Sequence, residues 1–355
     1  MQIGRVQLLE FRNYPTLSWH PAPRLNVLAG PNAQGKTNLL EALGFLVTGR
    51  SFRTARSAEI PRWGTESTTL TGELFQIETR RMVRRGLTRL EDGTWQVSGD
   101  PAPDWARVIA FGWQDLEIVN GAPAARRNFI DGFAARLHPN HVPTLLRFRQ
   151  VLARRNRLLQ QYPHDTGRLA PWTEQFAAVG MELLGRRRKA VAALQTEIAR
   201  VYGSLAGTAA KVEVRYVTAL GEAAEPEALV AALERRHREE ARRGQTLVGP
   251  HRDDLAIEID GVDARAFGSR GQQRLIALAL RLAEILPVTE AAGTAPVLLL
   301  DDALSELDPI VRELAITRTG ILCEAPYEIV AHKRCDCRCR RCRKCCGGNV
   351  APRRL

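Results

Sequence analysis

Eight residues constrain this chain more than any others. Gly30-Pro31-Asn32-Ala33-Gln34-Gly35-Lys36-Thr37 fits the pattern G-x-x-x-x-G-K-[ST]. It follows the apolar run "RLNVLAG" and precedes "NLLEALGFLV", so it reads as a loop from a strand into a helix starting near Thr37. Gly30 and Gly35 let backbone N–H groups wrap phosphate oxygens, and the helix N-terminus adds a favourable dipole. Lys36 can reach the β- and γ-phosphates, and the Thr37 hydroxyl can hold Mg²⁺. The stretch predicts a site for a nucleoside triphosphate.

A second stretch completes such a site. "VLLLDD" (297–302) is four apolar residues ending in two carboxylates. Carboxylates at the end of a buried strand are costly unless a cation or hydrogen bonds compensate them. Beside a phosphate loop, Asp301 is placed to orient Mg²⁺ and Asp302 to polarise an attacking water.

The remaining pattern is α/β. Residues 1–30 read as two strands, "RVQLLEF" and "RLNVLAG", joined by a Pro-rich turn. Residues 66–100 alternate in β fashion, with turn signals at "EDGT" and "VSGD". "RVIAFG" reads as a short buried strand. Leu145, Phe148, Leu152 and Leu159 share one helical face. The turn "QYPHDTGRLAP" separates that helix from another ending near "VYGSLAG". "KVEVRYV" and "LAIEIDG" then read as strands, the second closing on an Asp-Gly turn. "AFGSRGQQRL" is a polar knuckle, with Ser269 suited to cap the apolar-periodic helix that follows. The expected division is a head from residues 1–115 and 245–330, a helical lobe over 116–244, and a tail over 331–355.

Charge and cysteine content narrow the setting. The net charge is +12, but residues 331–355 hold nine Lys/Arg and one Asp, leaving only +4 for the rest. "RFRQVLARRNRLLQ" and "GRRRKAVAALQTEIARV" are basic helical stripes, suited either to DNA phosphates or to a solvated helix face. All seven cysteines lie at or after Cys323, which excludes a disulfide framework in the body. No apolar run approaches a membrane span, and the N-terminus alternates like a strand. A cytoplasmic protein with no membrane partner is expected.

The helix after the phosphate loop reads Asn38-Leu39-Leu40-Glu41-Ala42 and resembles the ATPase heads of chromosome-maintenance and recombination proteins. Longer stretches resemble the RecF family of bacterial DNA replication and repair proteins. These are "LLEFRNYPTL", "GPNAQGKTNLLEAL", "TGRSFRT", "DLEIVNGAPAARRNFID", "LVGPHRDDL", "SRGQQR" and "LLLDDALSELD", in that family's order, from residue 1 to about 312. The resemblance implies a P-loop ATPase head of the ABC/SMC type, with an antiparallel β subdomain and an inserted, mainly helical lobe. It implies ATP and Mg²⁺ as cofactors, ATP-driven dimerisation around gapped DNA or single-strand/double-strand junctions, and slow hydrolysis for release. It also implies work with RecR and RecO in loading the RecA recombinase. Carried over, Ser269, Gly271 and Gln272 act on the γ-phosphate of the partner subunit, and Arg12, Asn13 and Asn38 lie near the nucleotide. Gln114 stands where the class senses Mg²⁺ and water, although the family often reads Pro-Glu-Asp-Leu there. Asp308, in "ALSELDP", matches the dimer-facing loop.

Some features stay open. Arg50 and Arg53 suit the nucleotide, DNA or a solvated loop. "GPHRDD" leads into a strand, with no contact assignable to His251 or Arg252. Having Asp302 rather than Glu as second carboxylate shortens the reach to water and predicts slow turnover. After about Arg312 the resemblance fails, where the family continues with a helix, a last strand and a switch loop. Cys335, Cys337, Cys339, Cys342, Cys345 and Cys346 alternate with Arg, and shifting the frame of a GC-rich gene yields such strings. The tail therefore reads as out of frame ahead of a metal site. A head ending this way would lack its last strand, leaving His332 as stand-in for the switch residue. Two alternatives follow: a nucleotide-dependent DNA-binding module without hydrolysis, and a transporter ATPase subunit. The latter is disfavoured by the 233 positions between Lys36 and Ser269.

Overall fold

A computed structural model describes residues 1–77, 79–207, 209–222, 225–302 and 327–332. The chain opens with β1 (Gln2–Phe11), β2 (Tyr14–Trp19) and β3 (Arg24–Ala29). β1 and β2 form a hairpin closed by Arg12 and Asn13, with Phe11 opposite Tyr14. This corrects the expected two-strand reading, in which "NYPTLSW" was part of a turn. β2 is an edge strand, so Pro15 removes no ladder hydrogen bond that the sheet needs.

The helix α1 (Lys36–Thr48) follows, then β4 (Ser67–Gln76), β5 (Thr79–Arg89) and β6 (Trp95–Gly99). The first antiparallel sheet has the order β2-β1-β4-β5-β6. Its inward residues, among them Val6, Leu8, Leu70, Leu74 and Leu87, bury against Leu40, Leu43 and Phe45 of α1. β1 alternates buried and exposed positions, as one-sided burial requires.

The chain then forms β7 (Val108–Phe111), a 3₁₀ turn (Trp113–Asp115), α2 (Leu116–Asn120), α3 (Pro123–Leu137), α4 (His141–Gln161) and α5 (Thr166–Ala206). The 41 residues of α5 span about 60 Å at 1.5 Å per residue. Here too the sequence reading is corrected. Pro171 lies inside α5 rather than ending the preceding turn. It stands early in the helix, where the missing N–H orphans only the Gly167 carbonyl. Asp165 caps the start by accepting from the Arg168 amide at 3.0 Å. One stretch of α5 packs with α4 and the following α6 (Pro226–Arg243), through Phe148, Phe176, Leu184 and Leu229. Its C-terminal half joins the central core through Leu194, Ile198 and Leu205.

β8 (Val212–Val217), β9 (Asp254–Ile259) and β10 (Val262–Asp263) form a second antiparallel sheet. β9 and β10 are joined by the expected Asp-Gly turn, with Asp260 at φ 50 and Gly261 at φ 77. Then come α7 (Ala264–Phe267), α8 (Arg270–Ala283), α9 (Ile285–Ala292), β11 (Val297–Asp301) and β12 (Tyr327–His332).

The third sheet is parallel, in the order β3-β12-β11-β7. β11 is apolar on both faces because both are covered: Val297 and Leu299 pack towards α1, Leu298 and Leu300 towards α8. β12 sits between β3 and β11, so a head without its last strand is not what forms. "YEIVAH" fills that slot in register, with His332 opposite Ala29. The expected boundary between head and tail at residue 330 falls inside β12, which runs to His332; Asp308 and all seven cysteines lie outside the described residues. Among the described residues no helix is long and apolar enough to cross a membrane.

Candidate functional site

The parallel sheet brings the sequence motifs together. The phosphate loop leaves the C-terminal end of β3, Asp301 ends β11, and Gln114 stands just beyond the end of β7. Loops at the carboxyl ends of parallel strands are where open α/β sheets hold ligands.

The loop is shaped by its backbone. Gly35 is the N-cap of α1 at φ 95. A Cβ there would stand 2.5 Å from Nδ2 of Asn13 and 2.9 Å from the Tyr14 hydroxyl, so only glycine fits. Ala33 also takes a left-handed φ of 64, a local strain held by the surrounding structure. Pro31, Asn32, Ala33 and Gln34 are exposed. Lys36 reaches back over the loop and donates to the carbonyls of Gly30 (2.8 Å) and Pro31 (2.7 Å). Its ammonium therefore stands in the cradle formed by the loop. Thr37 donates to Oδ1 of Asp301 at 2.8 Å. A hydroxyl and a carboxylate at this spacing are hard oxygen donors, the set that suits Mg²⁺. Among the described residues there is no cluster of three or more His, Cys, Asp or Glu that could hold a metal alone.

The β1–β2 hairpin delivers Arg12 and Asn13 to the flank of the loop, with Arg12 at φ 53. Asn13 donates to the Gln34 carbonyl (3.4 Å) and accepts from Asn38 (2.7 Å). Tyr14 donates to the Gly35 carbonyl at 3.1 Å. Arg12 pairs bidentately with Glu41, at 2.8 and 2.6 Å. Glu41 is fully buried and also takes Ser51 (2.5 Å) and Arg53 (3.1 Å). Arg53 reaches Asn38 at 2.7 Å, which assigns it to the rim of the phosphate loop; Arg50 is exposed. Sequence reasoning missed Glu41 as a site organiser. Its signal was a carboxylate on the buried face of an apolar helix.

Beside these residues opens a cleft of about 780 Å³, lined by Arg12, Asn13, Asn38, Arg53, Trp63 and Trp95 among others. Trp63, on the lining of this cleft, is 97% exposed. The sequence offered no pattern that marked it.

The knuckle forms as expected. Ser269 caps α8 by accepting from the Gln272 amide (3.2 Å), while the Gln272 side chain accepts from the Ser269 amide (2.9 Å). Ser269, Arg270, Gly271 and Gln272 are all exposed, so the helix N-terminus faces outward. Five positions on, Arg274 is buried and donates to the backbone carbonyl of Asp302, which itself takes φ 53. The knuckle's helix is thus joined to the acidic strand of its own chain.

"GPHRDD" is more than a turn into β9. His251 bonds the Thr246 carbonyl through Nε2 at 2.9 Å, and burial pushes its pKa down to about 4. Asp253 accepts from Tyr216 at 2.7 Å, and Asp254 takes Arg126 bidentately at 2.7 and 2.8 Å. Arg187 donates to the Pro250 carbonyl and bidentately to Asp131. The motif ties α3, α5 and β8 to the start of β9.

No family model matches the chain. A DNA replication and repair protein RecF from Symbiobacterium thermophilum is 38% identical over 343 residues, covering 90% of each chain. One from Pelotomaculum thermopropionicum is 37% identical over 334 residues, covering 90% of this chain and 91% of its own. Among solved structures, the recombination mediator protein RecF-ATP of the RecFOR pathway superposes with a TM-score of 0.83 at 26% identity. It covers 94% of this chain and 92% of its own. An SMC head bound to the C-terminal winged-helix domain of ScpA superposes at 0.53 and 14% identity, a likeness of fold alone.

Proposed function

The chain belongs to the RecF family of DNA replication and repair proteins, and from that premise we propose that it is an ATP-gated DNA clamp with slow ATPase activity. The observation that carries this reading is the Thr37–Asp301 hydrogen bond, which joins the phosphate loop to the acidic strand at one sheet end.

In this reading the N–H groups of residues 30–37 and the Lys36 ammonium hold the triphosphate. Thr37 and Asp301 would hold Mg²⁺, which when bound neutralises charge on the phosphates. Asp302 polarises the attacking water, and Gln114 orients it. The cleft beside Arg12 and Asn13 takes the base, which stacks on Trp63. Ser269, Gly271 and Gln272 meet the γ-phosphate held by a second copy, so two ATP molecules join two chains head to tail. Their outward exposure supports that role. The dimer closes on gapped duplex or a single-strand/double-strand junction in the cytoplasm. With RecR and RecO it places RecA there, and hydrolysis releases the clamp. The reading without hydrolysis loses one ground, because β12 occupies the slot of the last strand.

The test is mass in solution, by light scattering, with ATP-Mg²⁺ or ADP and with or without gapped DNA. A monomer that becomes a DNA-retaining dimer only with ATP is expected. Ser269→Arg should abolish dimerisation with ATP binding intact. A chain that binds ATP and stays monomeric in all conditions overturns the clamp.

A further inference from the structure

Arg281 and Asp115 lie 166 positions apart and meet inside the protein. Nε and Nη2 of Arg281 both donate to Oδ1 of Asp115, at 3.0 and 2.6 Å. The other carboxylate oxygen accepts from the Gly112 amide at 2.8 Å, which closes the 3₁₀ turn that carries Gln114. Arg281 also donates to Glu284 at 2.8 Å and lies over the Phe129 ring, 4.9 Å from its centroid. Glu284, fully buried, takes Arg136 as well. Burial opposes the charge on Arg281, but Asp115 and Glu284 outweigh it and raise its pKa above the usual arginine value. Two guanidiniums and two carboxylates thus form a mutually compensated interior group, the condition under which such charges are tolerated.

This group has a mechanical consequence. Asp115 is fixed to α8, so the turn holding Gln114 cannot shift without α8. The same helix begins at the exposed Ser269 knuckle and grips the Asp302 carbonyl through Arg274. A rigid helix that starts at the knuckle and carries these two attachments moves all three points together.

We propose that Arg281 is a positioning residue for hydrolysis: through Asp115 it makes the Gln114 turn follow α8, so that seating the knuckle on one nucleotide sets Gln114 at the other. This rests on the reading of Gln114 and of the knuckle given above. Arg281 touches no substrate and acts only through Asp115.

The experiment is steady-state ATP hydrolysis by the full chain, comparing wild type, Gln114→Ala, Asp115→Asn, Arg281→Lys and the Gln114→Ala/Asp115→Asn double variant. Asp115→Asn is isosteric, and Arg281→Lys keeps the charge, so the two guard against a variant that fails to fold. Each should lower kcat about 10- to 100-fold with KM little changed, since a misplacement near one ångström has that effect. The double variant should be no slower than Gln114→Ala alone, which a merely structural weakening would not produce. Multiplicative losses overturn the positioning role and leave Gln114 in place, as do Asp115→Asn and Arg281→Lys at the wild-type rate. Gln114→Ala at the wild-type rate removes the premise itself, and a wild-type chain without turnover removes the hydrolysis reading with it.

Discussion

Thr37 donates its hydroxyl to Asp301 at 2.8 Å across 264 positions of chain. The first turn of α1 and the last residue of β11 are thereby held together, and their oxygens form the donor set suited to Mg²⁺. Asp301→Ala should remove the Mg²⁺-dependent gain in ATP affinity, by about 10- to 100-fold, as loss of metal-site partners does. Binding in EDTA, through Lys36 and the loop amides, should persist. Titrating a fluorescent ATP analogue with and without Mg²⁺ checks this, and an unchanged Mg²⁺ effect would refute the assignment.

Glu41 is a buried carboxylate shared by Arg12, Arg53 and Ser51. Glu41→Ala leaves two guanidiniums without their counter-charge, and breaking such a pair costs about 3–5 kcal/mol. The urea midpoint should fall accordingly, with Glu41→Gln milder. A loss under about 1 kcal/mol would mean that water or the nucleotide site replaces the carboxylate.

Trp63 stands fully exposed at the cleft beside the phosphate loop. If the base stacks there, Trp63→Ala should weaken ATP binding by about 1–3 kcal/mol, the range for base–aromatic stacking. Inorganic tripolyphosphate should bind both proteins equally. Equal weakening of the two ligands would show that Trp63 acts on the loop rather than on the base.

His251 gives a pH signature. Burial lowers its pKa to about 4 from an ordinary 6.5, with the charges of Arg252, Arg127 and Arg155 acting in the same direction. The folded state thus prefers the neutral ring. Its contribution is fully present above pH 6.5 and is lost as pH falls towards 4, on the order of 3 kcal/mol in all. Asp131 is held below the usual carboxylate range, because His141 and Arg187 outweigh its burial, so its own loss comes at lower pH. His251→Gln should therefore flatten the fall in urea midpoint between pH 7 and 5. A parallel fall in both proteins would exclude His251 as its source.

Much of the site was legible in the chain because its determinants are local. The phosphate loop is a matter of glycine φ values, one lysine and a helix start. The Ser269 cap and the Asp260-Gly261 turn are equally short-range, and all three form where the residues indicate. The Arg12-Asn13 hairpin turn escaped because edge placement made Pro15 acceptable, which a linear pattern does not record. Pro171 misled for a related reason: its cost depends on how far into α5 it falls.

The phosphate loop, the acidic strand, the capped knuckle and the family are readable along the chain alone, since each rests on residues adjacent in it. Tertiary structure decided which of them meet. The order β3-β12-β11-β7 puts Thr37 against Asp301, seats "YEIVAH" between β3 and β11, and brings Asp115 to Arg281. Those pairings depend on sheet order and on the burial of charges far apart in sequence. No periodicity or spacing encodes them, because a buried carboxylate is tolerated only where the fold brings its counter-charge.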